Sequence, residues 1–333
     1  MFAEAIASIL DHHCTPADVR AIEAGASAQS LAAAVVEAGF LELLAPEERG
    51  GGGAGWRDFF EVVLLCGASA VPLPLAQTMA ARLLDADPSS LPAGFIAFAP
   101  SLARGVDGSL QALHVPCART ASHVIGALGD ALLLLPVAEA HRLPSGVHGS
   151  LGASLRWPAA AGRALQGGAH AVDLAPLAAL LHAGLLAGAM KRCFDLTMAY
   201  ANERVQFGKP IGKFQAIQHR LSVMAEHVAA GRMAAEAAFG TDARLPALPA
   251  CAVAKARTSE AAQLVASTAH AVHGAIGVTE EYDLQLFTRR LHEWRMAHGS
   301  EAHWHRVLGR LFLDSPQPLA VDFVRTVWEA APA

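Results

Sequence analysis

The densest run of chemically capable side chains is Glu203-Arg204-Val205-Gln206-Phe207-Gly208-Lys209-Pro210-Ile211, with Phe214-Gln215-Ala216-Ile217-Gln218 close behind it. A guanidinium presents paired N–H donors that match phosphate oxygens, so Arg204 is suited to hold a pyrophosphate. Phe207 is suited to face a flat ring, and Gln206, Lys209, Gln215 and Gln218 add polar groups at the same end of the chain's helices. The same run also reads as a helical hairpin and nothing more, because Gly208 and Pro210 are what a turn between two helices needs. On the residues alone both readings stay open.

The elements that must position this run follow from hydrophobic pattern and punctuation. Long Ala-rich segments at about 174–204, 214–238, 247–276 and 282–313, the last with breaks, predict a C-terminal antiparallel four-helix bundle over 170–333. Residues 88–169 change texture: Pro, Gly and Ser separate short apolar runs at 95–99, 110–115, 123–125 and 131–137, which predicts a small β domain. Residues 1–87 read as helices broken by turns. Thr15-Pro16-Ala17-Asp18 is a capping box with proline at the first helical position, and a helix is expected to start there. The stretch 31–44 is apolar and stops at Pro46. Gly50-Gly51-Gly52-Gly53 then marks a loop before helical pattern resumes at 58–66, and with no Lys-Ser/Thr after it this run is a poor phosphate cradle.

Composition narrows the function classes. The chain has 333 residues, of which 53% are hydrophobic, 17% charged and 6% aromatic, so its apolar content is mainly Ala, Leu and Val packed helix on helix. The net charge of −5, with 25 basic residues spread along the chain, argues against electrostatic nucleic-acid binding. Five widely spaced cysteines without a CxxC pair, and 16 histidines without an HExxH pattern, predict reduced thiols and no metal site. No purely apolar run approaches the roughly 20 residues of a membrane span, and the N-terminus lacks a basic segment before an apolar one, so a cytoplasmic location is expected.

Three segments together resemble the acyl-CoA dehydrogenase family. Arg204 to Ile211 with Phe214 to Gln218 is similar to that family's helical-hairpin signature. Ala254-Lys255 with Ser259-Glu260-Ala261-Ala262, continuing to His273-Gly274-Ala275-Ile276-Gly277, resembles its penultimate helix and His-Gly-Gly-x-Gly turn. Leu44-Ala45-Pro46-Glu47-Glu48-Arg49-Gly50-Gly51 resembles its Pro-Glu-x-x-Gly-Gly segment. The resemblance implies a mainly α fold with a small middle β domain and a C-terminal four-helix bundle. It implies FAD as cofactor, acyl-CoA as substrate, trans-2-enoyl-CoA as product and an electron-transfer flavoprotein as electron acceptor. It further implies that Arg204, Gln206, Phe207 and Gln215 contact FAD across a subunit boundary, and that Gly274 and Gly277 let backbone approach the cofactor. For those glycines a plain helix cap and turn is the alternative.

The chain also departs from the family pattern. The Thr-Glu-Pro-x-x-Gly-Ser stretch and the Trp-containing strand that flank the flavin ring have no counterpart; the nearest runs are Phe98-Ala99-Pro100-Ser101 and 130–137. Ala271 stands where a glutamine is usual, and Ala275 at the second glycine of the turn. The family's catalytic Glu before Gly-Thr/Ser is replaced by His298, and its second location, near Ala178, also lacks an acid. Two residues are candidates for the base: His298 itself, and Glu301, which has the family's functional group one helical turn on and is the favoured choice. These departures imply either an active dehydrogenase, homo-oligomeric, or a low-activity subunit that completes the FAD site of a full-length partner in a mixed oligomer.

Overall fold

The structure, a computed structural model, describes residues 2–85, 87, 90–166 and 172–329. The chain divides into two compact units, one formed by Met1–Val62 and Val71–Leu181, the other by Val63–Ala70 and His182–Ala333. Of the expected domain boundaries, 87/88 has only residue 87 among the described ones, and 169/170 lies outside them.

The first unit begins with helices α1 (Phe2–His13), α2 (Pro16–Glu23) and α3 (Gln29–Glu37), followed by α4 (Trp56–Ala68), which runs on into the second unit, and α5 (Leu75–Ala81). α2 starts at the expected box: the Thr15 hydroxyl accepts from the Asp18 N–H at 3.3 Å, and the Asp18 carboxylate accepts from the Thr15 N–H at 2.9 Å. α3 ends earlier than the apolar pattern suggests, because Gly39 turns left-handed at φ 75° and the chain continues as a single 3-10 turn, Phe40–Glu42. The N–H groups of Gly50, Gly51, Gly52 and Gly53 all donate back to the carbonyls of Glu47, Pro46, Glu42 and Ala45. None is left for a phosphate.

The same unit carries two four-stranded sheets. Its strands are β1 (Ile96–Ala99), β2 (Ala103–Arg104), β3 (Leu110–Val115), β4 (His123–Leu128), β5 (Ala131–Pro136), β6 (His141–Pro144), β7 (Ala153–Trp157) and β8 (Arg163–Ala164). One sheet has the order β1-β4-β5-β8, with β1 and β4 parallel and the other pairs antiparallel; the other has the order β2-β3-β7-β6 and is antiparallel throughout. Alternate residues Ala97, Ala99, Leu110, Ala112, Ala153, Leu155 and Trp157 meet Val124 and Leu135 in one core, and the Trp157 indole donates to the Pro136 carbonyl at 2.8 Å. The four strand-length runs read from the sequence are β1, β3, β4 and β5.

The bundle comprises α6 (Leu174–Glu203), which starts in the first unit, then a short hairpin of β9 (Val205–Gln206) and β10 (Lys209–Pro210), and α7 (Gln215–Phe239), α8 (Leu248–His273), α9 (Leu284–Met296), α10 (Glu301–Leu313) and α11 (Ala320–Glu329). α8 packs against α7, α9 and α10 and buries its alanines on nearly every side, which their small size permits. By length and composition α6 is apolar enough to cross a membrane, yet 83% of its most apolar stretch is buried within the protein. All five cysteines are free, and all but Cys117 are buried.

Candidate active site

The expected fourth bundle segment is two helices because the chain reverses at His298 (φ 55°) and Gly299 (φ 97°). A left-handed histidine is strained, and strain of this kind persists only where neighbours hold it. Three contacts do so. The Trp304 indole, one turn into α10, donates to the His298 carbonyl at 3.0 Å. The His298 ring meets the buried His182 of α6 edge to face, with centroids 4.6 Å apart. Lys255 of α8, fully buried, donates to the Ser259 hydroxyl at 2.7 Å and to the carbonyls of Arg295 and Gly299 at 2.8 Å each. These carbonyls flank His298 in sequence.

The electrostatics of the turn separate its two candidate bases. His298 Nε2 is buried and has no hydrogen-bond partner among the described residues. Burial, then the neighbouring His182 and Lys255, hold its proton affinity well below the ordinary histidine value, so the ring is neutral at pH 7. Glu301 is engaged instead: Arg295 Nε donates to its Oε2 at 2.9 Å and Arg295 Nη2 to its Oε1. That bidentate pair lowers the carboxyl below its ordinary value. A carboxylate held this way is a weaker base than a free one, and His298 is likewise held below its ordinary value; the two differ in that Glu301 is engaged by Arg295 while His298 Nε2 has no hydrogen-bond partner among the described residues.

The cofactor candidates lie elsewhere in the bundle unit. Phe207 (φ 51°) and Gly208 (φ 78°) form the tip of the β9–β10 hairpin, a two-residue turn with both residues left-handed. Phe207 is 93% exposed, its ring edge-to-face with Phe214 at 6.2 Å, and Arg204, Gln206 and Gln215 are exposed beside it. Lys209 Nζ stands 4.4 Å over the Phe214 ring, and Gln218 donates to the Gly212 carbonyl at 3.1 Å. At the end of α8, Gly274 is left-handed at φ 65°, and a Cβ on Gly277 would stand 2.9 Å from the His273 Cβ. The two segments meet: Tyr200 of α6 stacks on His273 with centroids 4.4 Å apart, and Ala201, Leu221 and Val272 share a small core with Ile211 and Ile217. The structure thus brings Arg204, Gln206, Phe207 and Gln215 to one end of the unit with Gly274 and Gly277. His298 and Glu301 belong to another level: Lys255 and His273 are 18 residues apart on α8, or about 27 Å at 1.5 Å per residue.

Sequence reasoning passed over Lys255 and His182. Lys255 had a legible signal, a lysine amid alanines with Ser259 one turn later, where a solvated face would carry more than one charge. His182 had none, being one of 16 histidines.

A family model described as the acyl-CoA dehydrogenase C-terminal domain matches residues 169–311. The acyl-CoA dehydrogenase IpdE2 of Mycolicibacterium smegmatis is 30% identical over 88% of this chain and 91% of its own length. The chain belongs to the acyl-CoA dehydrogenase family. The IpdE2 of Mycobacterium tuberculosis is also 30% identical, over 99% of this chain and 97% of its own. Among solved structures of the same fold, the ChsE4–ChsE5 complex from M. tuberculosis aligns with a TM-score of 0.82 at 22% identity, covering 95% of this chain and 97% of that one. Butyryl-CoA dehydrogenase from Megasphaera elsdenii aligns at 0.75 and 19% identity over 94% and 97%.

The family is generally FAD-dependent, and the exposed donor set suits part of that cofactor. The Arg204 guanidinium has no ion-pair partner among the described residues, and with the Gln206 and Gln215 amides and the bare Phe207 ring it offers what a diphosphate and an adenine need. Apart from His123, the side chains of β4 and β5 are those of Val, Ile, Ala, Leu, Gly and Pro.

Proposed function

We propose that the chain is a subunit of an FAD-dependent acyl-CoA dehydrogenase that converts an acyl-CoA thioester to the trans-2-enoyl-CoA. The observation that carries this reading is His298 Nε2, a buried and unpartnered nitrogen on a strained turn, at the place of the family's catalytic carboxylate. With its proton on Nδ1, the neutral ring keeps a lone pair at Nε2, which takes the substrate's α-proton once substrate binding uncovers that atom. His182 packs against the ring and limits its rotation. Arg204, Gln206, Phe207 and Gln215 hold the adenine and diphosphate end of FAD in a neighbouring subunit, which their outward hairpin and the distance along α8 support. When bound, FAD supplies the acceptor for the β-hydride, and an electron-transfer flavoprotein takes the electrons onward.

A second reading is favoured by specific observations. Glu301 is tied to Arg295, His298 is a weakened base, and the side chains of β4 and β5 are apolar apart from His123. Two structural neighbours carry the names of chain pairs, ChsE4–ChsE5 and Tcur3481–Tcur3483. In this reading the chain is a low-activity subunit that completes the FAD site of a full-length partner in a mixed oligomer.

Anaerobic bleaching of the flavin by a panel of acyl-CoAs separates the two. The first reading expects bleaching by the wild-type chain, its loss in His298→Ala and its retention in Glu301→Gln. Colourless protein that gains flavin only on coexpression with a full-length homologue, and bleaching indifferent to His298→Ala in that complex, would establish the second.

A further inference from the structure

The buried ammonium of Lys255 has no counter-ion within hydrogen-bond reach; its three acceptors are one hydroxyl and two main-chain carbonyls. Three acceptors use all three protons of the charged form. Burial, against the Glu301 charge that raises it and with the Arg295 charge that lowers it, pushes this group down to about 7, so keeping it here is unfavourable unless the bonds it makes matter. An apolar side chain would fill the same space in an alanine-rich helix without that cost. The two carbonyls belong to Arg295, in the last turn of α9, and to Gly299, directly after His298. The Arg295 carbonyl, at the end of α9, is without an intrahelical partner, and Lys255 satisfies it together with the Gly299 carbonyl inside the reversal. Ser259 reinforces the grip, its hydroxyl lying 3.3 Å from the same Arg295 carbonyl.

We infer that Lys255 is the positioning residue of this turn: by tying the carbonyls of Arg295 and Gly299 to α8 it holds His298 in its left-handed conformation, with its ring against His182 and Nε2 sealed. The relevance to turnover rests on the reading of His298 as base. The groups facing His298 are His182 from α6 and Lys255 from α8, with the Arg295–Glu301 pair bridging the two sides of the turn. The Trp304 indole fixes the other side of the loop through the His298 carbonyl, so losing Lys255 frees the turn at one anchor and leaves the second in place.

The test is carbethoxylation of histidines by diethyl pyrocarbonate, read peptide by peptide by mass spectrometry on the flavin-loaded oligomer. It is paired with the limiting rate and the apparent substrate affinity in anaerobic flavin bleaching. His273 is the internal control, since its Nε2 is buried near the far end of the same helix. In Lys255→Met, His298 is expected to react about tenfold faster while His273 stays protected, as for a local opening. The limiting bleaching rate is expected to fall about 100-fold with apparent affinity nearly unchanged, as for a misplaced base. Ser259→Ala, which removes one acceptor and keeps the ammonium, should move His298 reactivity in the same direction by less, and it decides the matter if Lys255→Met does not fold. Unchanged His298 reactivity overturns the inference. So does a joint rise at His298 and His273, which would make Lys255 a support of α8 as a whole. If His298 becomes reactive while His298→Ala bleaches at the wild-type rate, the positioning role stands and the base assignment falls.

Discussion

Arg295, in the last turn of α9, grips the carboxylate of Glu301, the first residue of α10, with both side chains half-buried across the four-residue reversal. The pair closes the outside of the turn that Lys255 closes from within. Glu301→Gln keeps the shape and one acceptor but loses the charge, and it is expected to cost about 1–2 kcal/mol of stability. The pH dependence follows from the lowered carboxyl. The contribution is fully present above the ordinary value of 4.5 and is lost as pH falls through the depressed folded value. Denaturant midpoints for wild type and Glu301→Gln should therefore differ by a constant amount near neutrality and converge in acid.

Lys255 gives a slope of the same sign in a higher pH window, there as the relief of a cost. Its folded value near 7 lies below its ordinary 10.5, so between these limits the unfolded chain binds more protons and folding grows more favourable as pH rises. Wild type should gain stability relative to Lys255→Met on going from pH 7 to pH 9.5, measured by urea denaturation. A pH-independent difference would mean that the buried amine keeps its ordinary proton affinity.

The hairpin is expected to separate stability from binding. Arg204 and Phe207 are exposed, so Arg204→Ala should change the stability of the chain by less than about 0.5 kcal/mol. Losing a charge-assisted contact to a pyrophosphate is worth about 1.5–3 kcal/mol, or about 10- to 100-fold in FAD retention. Flavin released on denaturation after gel filtration, against protein concentration, reads this out; equal flavin in wild type and Arg204→Ala would remove the guanidinium from the cofactor's contacts.

The contrast between these sites shows what a sequence can carry. The capping box at Thr15–Asp18, the length of α7 and α8 and the strands β1, β3, β4 and β5 were legible, because each is written in local spacing: a cap three residues from its partner, or a period of 3.6 or 2. Strands β2 and β8 are two residues long and β6 is exposed along its whole length, so none has a pattern to read. β7 does alternate, with Ala153, Leu155 and Trp157 inward and Ser154 and Arg156 outward, but it is only five residues long and sits among turn residues. The hairpin and the glycine turn could be named from residue types. The state of the base could not: that Glu301 is held by Arg295 and that His298 is sealed beside His182 depend on where α6, α8 and α9 meet, over sequence separations as large as 116 residues between His182 and His298.

The glycine turn allows a direct choice between packing and cofactor approach. At Gly277 an added Cβ would lie 2.9 Å from the His273 Cβ, 3.2 Å from Leu284 Cδ2 and 3.3 Å from His270 Nδ1, so Gly277→Ala crowds the chain's own atoms. The neighbours have little room to yield, since His273 and Leu284 are buried and His273 is stacked on Tyr200. A cost of about 1–3 kcal/mol is expected. Gly274 differs: a Cβ there meets nothing within 4 Å, but φ of 65° with ψ of −143° is a conformation that alanine adopts only under strain, again about 1–3 kcal/mol. Both variants should therefore lower the melting temperature of protein freed of flavin. If the glycines serve cofactor approach alone, the flavin-free melting temperatures will match wild type and only flavin content will fall. Thermal unfolding by circular dichroism before and after flavin removal distinguishes these outcomes, and the packing distances at Gly277 predict that the loss persists in the flavin-free state.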